Sequence, residues 1–119
     1  MKICVPTNGQ GGMDDSVSAH FGRAPTYTIV DTETGQVKVV ENRSDHKGGS
    51  GKPPEQVAGT GAEVVVCSGL GPNAVTMLSA RGIASYTGAT GTVKEALESY
   101  RQGRLTRATE ETACKEHHH

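Results

Sequence analysis

Val64-Val65-Val66-Cys67-Ser68-Gly69-Leu70-Gly71-Pro72-Asn73-Ala74 is the stretch that decides the fold. Val64 to Cys67 are small and apolar with no polar alternation, which is how a strand covered on both faces of a parallel sheet reads. Gly69 and Gly71 let the backbone turn sharply and come close to a ligand. Pro72 suits the first helical position, where its missing N–H costs nothing. A helix is predicted from Asn73 to about Arg81. Its free N–H groups and positive dipole end would face whatever sits over the turn, an arrangement that binds anions. Taken alone, the stretch reads equally well as an ordinary strand-to-helix connection without a ligand.

Upstream, Lys2 to Pro6 reads as the first strand. Thr7 to Asp15 is a polar loop, of which Gly9 to Asp15 is expected to be mobile when empty. Its Gly11 and Gly12 suit wrapping a ligand, and Met13 offers a soft thioether there. Ser16 to Pro25 (SVSAHFGRAP) breaks both helical and strand patterns and gathers Ser18, His20 and Arg23. His20 offers an imidazole ligand or donor, and Arg23 a planar fork for an anion. Phe21 is expected to anchor the loop beside Gly22. A surface loop with a capping histidine is the plain alternative.

Tyr27–Asp31 and Val37–Glu41 flank a short turn and predict an antiparallel hairpin. Asn42 to Gly51 is a second glycine-rich loop. It carries His46, which matters if it faces His20. A first helix opens at Pro53-Pro54-Glu55 and ends at Gly59 and Gly61, with Val57 and Ala58 inward. The central helix turns Ala74, Val75, Leu78 and Ser79 inward, and Gly82 falls where a left-handed cap belongs. Ile83 to Tyr86 is the last predicted strand. Gly88 and Gly91 mark the next loop. Thr92 and Glu95 form a capping box for a third helix reaching about Gln102. Residues 1–102 therefore read as one domain. From Gly103 onward the chain is polar without periodicity, the pattern of a loose tail.

Composition removes several classes. Phe21 is the only phenylalanine, tryptophan is absent, and three tyrosines occur, so Val, Ile, Ala and Leu must fill the core. Net charge is -1 with no basic stripe, which speaks against nucleic acid. No apolar run reaches the ~20 residues of a membrane span. A signal-peptide core is also missing, so a cytoplasmic location is expected. Cys4, Cys67 and Cys114 make no CxxC pair, against a disulfide framework or structural zinc. His117 to His119 read as a purification remnant or a metal-binding tail and carry no weight here.

The order strand, strand, strand, helix, strand, helix, strand, helix predicts an α/β fold. Its mixed five-stranded sheet has order 3-2-1-4-5 with strand 2 antiparallel and helices on both faces. The winding reverses between strands 1 and 4, so a ligand is expected beyond their carboxyl ends. Three glycine-rich loops converge there. The rim lacks a magnesium-binding carboxylate cluster, a GxxxxGK[ST] loop, and a Ser–His–acid or Cys–His set. No catalysis is expected. The donors suit an anionic, sulfur-rich metal species held by amides and one or two weak ligands, as a carrier requires. The same rim would also suit a phosphate- or nucleotide-binding regulatory domain. A structural partner domain of a redox complex would need an apolar patch on the outer helices, and none is clear.

The run Ser16-Val17-Ser18-Ala19-His20-Phe21-Gly22-Arg23-Ala24 resembles the HFGRA signature of the dinitrogenase iron–molybdenum cofactor biosynthesis family. The Asn42–Gly49 loop, Val65–Ala74 and Gly82-Ile83 match it further. The resemblance implies a ribonuclease H-like fold. It also implies a bound molybdenum-containing metal–sulfur cluster, either iron–molybdenum cofactor, a precursor, or the molybdenum–copper sulfide of small stand-alone members. Proteins that donate or accept the cluster would be the partners. The family's cluster-associated histidine corresponds to His20. The expected binding set is Ser18, His20, Phe21, Gly22, Arg23, Gly69, Leu70, Gly71, Asn73, Gly11, Gly12 and Gly88, with His20, His46 and Met13 toward the metal. Nuclease chemistry does not carry over, because it needs several acids at strand ends to hold two metal ions and strands 1, 4 and 5 supply none. No cysteine lies in Ser16–Ala24, and Cys67 reads as a buried hydrophobe, so thiolate attachment is not expected.

Overall fold

The computed structural model describes residues 1–42 and 53–109. In chain order the elements are β1 (Lys2–Thr7), β2 (Thr26–Asp31), β3 (Val37–Glu41), α1 (Pro53–Gly59), β4 (Val64–Val66), α2 (Pro72–Ala80), β5 (Ala84–Thr87), α3 (Val93–Arg101) and β6 (Thr106–Ala108). They form a mixed α/β fold around one sheet of order β3-β2-β1-β4-β5-β6. β4 runs parallel to β1 and β5, while β2 is antiparallel to β1 and β3.

The unbroken valines of β4 are explained by cover on both sides. Side chains alternate across a strand, so Val65 and Cys67 fall on one face and Val64 and Val66 on the other. The first face packs Cys4, Tyr27, Ile29, Val65 and Cys67 beneath Val57 of α1 and Val75 and Leu78 of α2. The second packs Ile3, Val5, Val30, Val64 and Val66 beneath Val93 and Ala96 of α3. Each valine so buried contributes on the order of 1.5–3 kcal/mol of transfer free energy. α3 begins with the predicted capping box: the Thr92 side chain accepts from Glu95 N, and the Glu95 carboxylate accepts from Thr92 N. Gly82 takes φ +76° after α2, in the left-handed region.

The sheet departs from the prediction at its far edge. It has six strands, because Thr106–Ala108 pairs antiparallel with β5 through Ser85↔Ala108, Tyr86↔Arg107 and Thr87↔Thr106. Only Ala108 of this strand is buried. A short edge strand held by backbone pairing leaves no apolar alternation to read. Arg107 lies over the Tyr86 ring, 5.8 Å from its centre.

The Gly9–Asp15 loop, expected to be mobile, carries its own set of hydrogen bonds. The Asp15 carboxylate accepts from the amides of Gly9, Gly11 and Ser16. Gly12 N donates to Thr28 Oγ1, inside a hydroxyl cluster of Thr7, Thr26 and Thr28.

Candidate functional site

The carboxyl ends of β1, β4 and β5 share one rim, and main-chain bonds join the loops that leave it. Ser18 N donates to Pro6 O, extending the edge of β1. Gly88 N donates to Ser68 O and Ala89 N to Cys67 O, while Ser68 Oγ donates to Ala89 O. The β5–α3 loop thus backs the β4–α2 turn.

On the α1/α2 side of this rim lies a cavity of about 530 Å³. Ala19, His20, Phe21, Gly22 and Arg23 line one wall, and Gly69, Leu70, Gly71, Asn73, Ala74 and Met77 the other. Pro53 and Pro54, at the start of α1, close the side. The two motifs singled out from the sequence therefore face one space.

The His20–Ala24 turn is held by its carbonyls. The Ser18 hydroxyl donates to His20 O and accepts from His20 N, both at 3.2 Å. The buried Tyr27 hydroxyl donates to Phe21 O at 2.9 Å. Asn42 Nδ2 donates to Gly22 O at 3.0 Å and to Ala24 O at 2.8 Å. Asn42 Oδ1 in turn accepts from Gln56 Nε2 on α1 at 3.1 Å. Phe21 is 4% exposed, and its ring centre lies 5.5 Å from that of Tyr27. The amides of Phe21, Gly22 and Arg23 have no protein acceptor among the described residues.

The opposite wall has the same polarity. Gly71 is the N-cap of α2 and supplies no side-chain cap, and Pro72 occupies the first turn. The amides of Gly69, Leu70, Gly71, Asn73 and Ala74 have no acceptor among the described residues. These are the orphan donors that every helix start leaves, with the positive dipole end behind them. Among the described residues, Arg23 makes no ion pair and no carboxylate lines the cavity. These residues present donors to the space from two sides.

Other expected site residues lie elsewhere. Ser18 is buried and shapes the turn from behind. Gly11 packs against Val39: an added Cβ would sit 2.6 Å from Val39 Cγ1. Gly12 is bonded to Thr28, and Gly88 to Ser68. Met13 belongs to the core on the α3 face, beside the cavity lined by Met1, Ile3 and Leu97. Gly11, Gly12, Met13 and Gly88 thus do not line this cavity: of the three glycine-rich loops at the rim, the Gly69–Gly71 turn is the one that does. His46 lies outside the described residues. The thioether in the cavity is Met77, one helical turn after Asn73.

Cys67 is fully buried with its thiol toward Tyr86 O and does not line the cavity. Burial first, and neighbouring Cys67 second, push the Cys4 thiol far above its ordinary range. Burial likewise raises the Tyr27 phenol. Among the described residues, no cluster of three His, Cys, Asp or Glu could hold a bare metal ion.

The sequence pattern of the dinitrogenase iron-molybdenum cofactor family matches residues 1–103, both cavity walls included. The chain belongs to this family. Solved relatives share the fold. A Thermotoga protein of the DUF35 family is 36% identical, covering 89% of this chain and 91% of its own, with a TM-score of 0.75. The apo form of the orange protein from Desulfovibrio gigas is 27% identical, covering 90% and 92%, with a TM-score of 0.76. An uncharacterised Methanocaldococcus jannaschii protein is 27% identical over 110 residues, covering 88% of this chain and 89% of its own. Membership supports a binding role of the cofactor-biosynthesis or orange-protein kind. Among the described residues, no helix is long and apolar enough to cross a membrane.

Proposed function

We propose that this chain is a non-catalytic carrier or assembly protein whose cargo is an anionic molybdenum- or iron-containing metal–sulfur cluster. One observation carries the reading: among the described residues, the cavity is lined by two rows of amides without an acceptor and by Arg23, with no carboxylate between them. Such donors suit an anion that brings its own sulfide ligands, since amide hydrogens bond to sulfur and charge alike. With no three-ligand cluster among the described residues, the protein would grip the cargo's surface instead of building the metal centre. Contacts of that kind permit release. His20, exposed at the cavity edge, is placed to act as one weak ligand. The cargo would be iron–molybdenum cofactor, a precursor, or a molybdenum–copper sulfide. It would be received from and passed to partner proteins in the cytoplasm. The ribonuclease H-like assignment is supported by the order of the first five strands, with β6 as an addition.

The test is anaerobic reconstitution with tetrathiomolybdate and Cu(I), and separately with isolated iron–molybdenum cofactor. A protein-bound visible charge-transfer band is expected with at least one. His20→Ala and Arg23→Ala should weaken it, the latter about tenfold for loss of a charge-assisted contact. A colourless protein after both treatments would remove the proposal.

A further inference from the structure

The cavity has two kinds of lining, and they ask different things of a guest. Amides and Arg23 require negative charge. Pro53, Pro54, Leu70 and Met77 require an outer surface that loses little on leaving water. A tetrahedral oxyanion meets only the first demand: its oxygens are strongly hydrated, and setting them against apolar atoms without partners is costly. A thioanion of equal charge and shape is larger, softer and more weakly hydrated. Its sulfurs also gain contact with a polarisable thioether and with hydrocarbon.

We infer that this apolar lining, Met77 included, is the specificity element of the site: it admits sulfide-surfaced anions and turns away oxyanions, phosphate included. The inference rests on the anion-cargo reading above and adds the group that chooses among anions. Met77 is placed for this by helix geometry. It follows Asn73 by four residues, so its side chain stands over the same face of α2 whose first turn offers the amides. It is half-buried and, among the described residues, belongs to neither core cluster, which leaves it room to fit a guest.

Tetrathiotungstate and tungstate make the matched pair, equal in charge and geometry. Each is titrated anaerobically into the full chain by calorimetry, with inorganic phosphate as a third probe. Tetrathiotungstate is expected to bind at least tenfold more tightly than tungstate, which corresponds to about 1.4 kcal/mol. Phosphate should resemble tungstate. Met77→Gln should narrow the ratio by weakening the thioanion, whereas Met77→Leu, which keeps the wall apolar, should preserve most of it. Equal affinity for the two tungsten anions would overturn the selective wall while leaving the anion cradle standing. So would a ratio unmoved by Met77→Gln. If neither anion binds, the cradle and its wall fall together.

Discussion

Asn42 offers a sharp test, because it holds the site without lining it. Its amide donates to Gly22 O and Ala24 O and accepts from Gln56, so one side chain fastens the His20–Ala24 turn to α1. Asn42→Ala removes all three bonds. Ala24 is 1% exposed, so its carbonyl loses a partner in a buried place, whereas Gly22 is exposed and water can substitute. At roughly 0.5–1.5 kcal/mol for each net bond, with the Gly22 contribution discounted, the expected destabilisation is about 1–2 kcal/mol. The freed turn must then be reordered by the guest. If half the loss appears in binding, tetrathiotungstate affinity falls about two- to fivefold. Asn42→Asp should be worse than Ala, since a carboxylate would face two carbonyl oxygens. Urea unfolding followed by circular dichroism gives the first quantity and calorimetry the second. A variant destabilised as expected but with unchanged affinity would refute the claim that Asn42 sets the geometry of the turn.

Other perturbations test the scaffold. Thr92→Ala breaks the capping box of α3 and should cost about 1 kcal/mol, seen as a lower urea midpoint with unchanged slope. Gly11→Ala forces a Cβ into φ +87° and against Val39, and should destabilise by on the order of 1–3 kcal/mol in the same assay. In a Cys114→Ser background, the native chain should leave Cys4 and Cys67 unmodified by a thiol reagent at pH 8, and urea should expose both. The Cys4 thiol titrates higher folded than unfolded, so its contribution to stability is complete below the unfolded value of roughly 8.5. That contribution is lost as pH rises beyond it, and urea midpoints should fall between pH 8 and 10.

The sequence made some of this fold plain and hid other parts for identifiable reasons. Val64–Val66 announced a doubly covered strand because no polar residue interrupts it, and cover on both faces is what it has. Thr92 and Glu95 announced a helix start because that cap is local. β6 was hidden because its pairing uses backbone groups, which no side-chain pattern records. Met13 and Met77 show a different limit. Both are thioethers near glycine loops, but β1 sends its loop toward the α3 face, and only the folded sheet decides which face is which. A usable signal for Met77 did exist in its four-residue spacing from Asn73. Asn42 opened the family-like Asn42–Gly49 loop, but its bracing role was hidden because the carbonyls it holds lie about twenty residues away in the chain.

The carbonyl contacts explain how so few charged residues can make an anion site. A turn exposes as many carbonyl oxygens as amide hydrogens, and left alone the two cancel. Here Ser18, Tyr27 and Asn42 take the carbonyls of His20, Phe21, Gly22 and Ala24, while the hydrogens of Phe21, Gly22 and Arg23 meet no acceptor among the described residues. α2 achieves the same on the facing wall by beginning with Gly71 and Pro72, neither of which has a side chain that could cap the first-turn amides, while their carbonyls accept from Val75 N and Thr76 Oγ1. Main-chain donors of this kind bind any anion of fitting size. Choice among anions then falls to the few side chains that reach the space, which is why substitutions at Met77 and Arg23 should change different things. Arg23→Ala should weaken oxyanion and thioanion alike. Met77→Gln should alter only their ratio, and a uniform loss from both variants would show that charge and wall do not act separately.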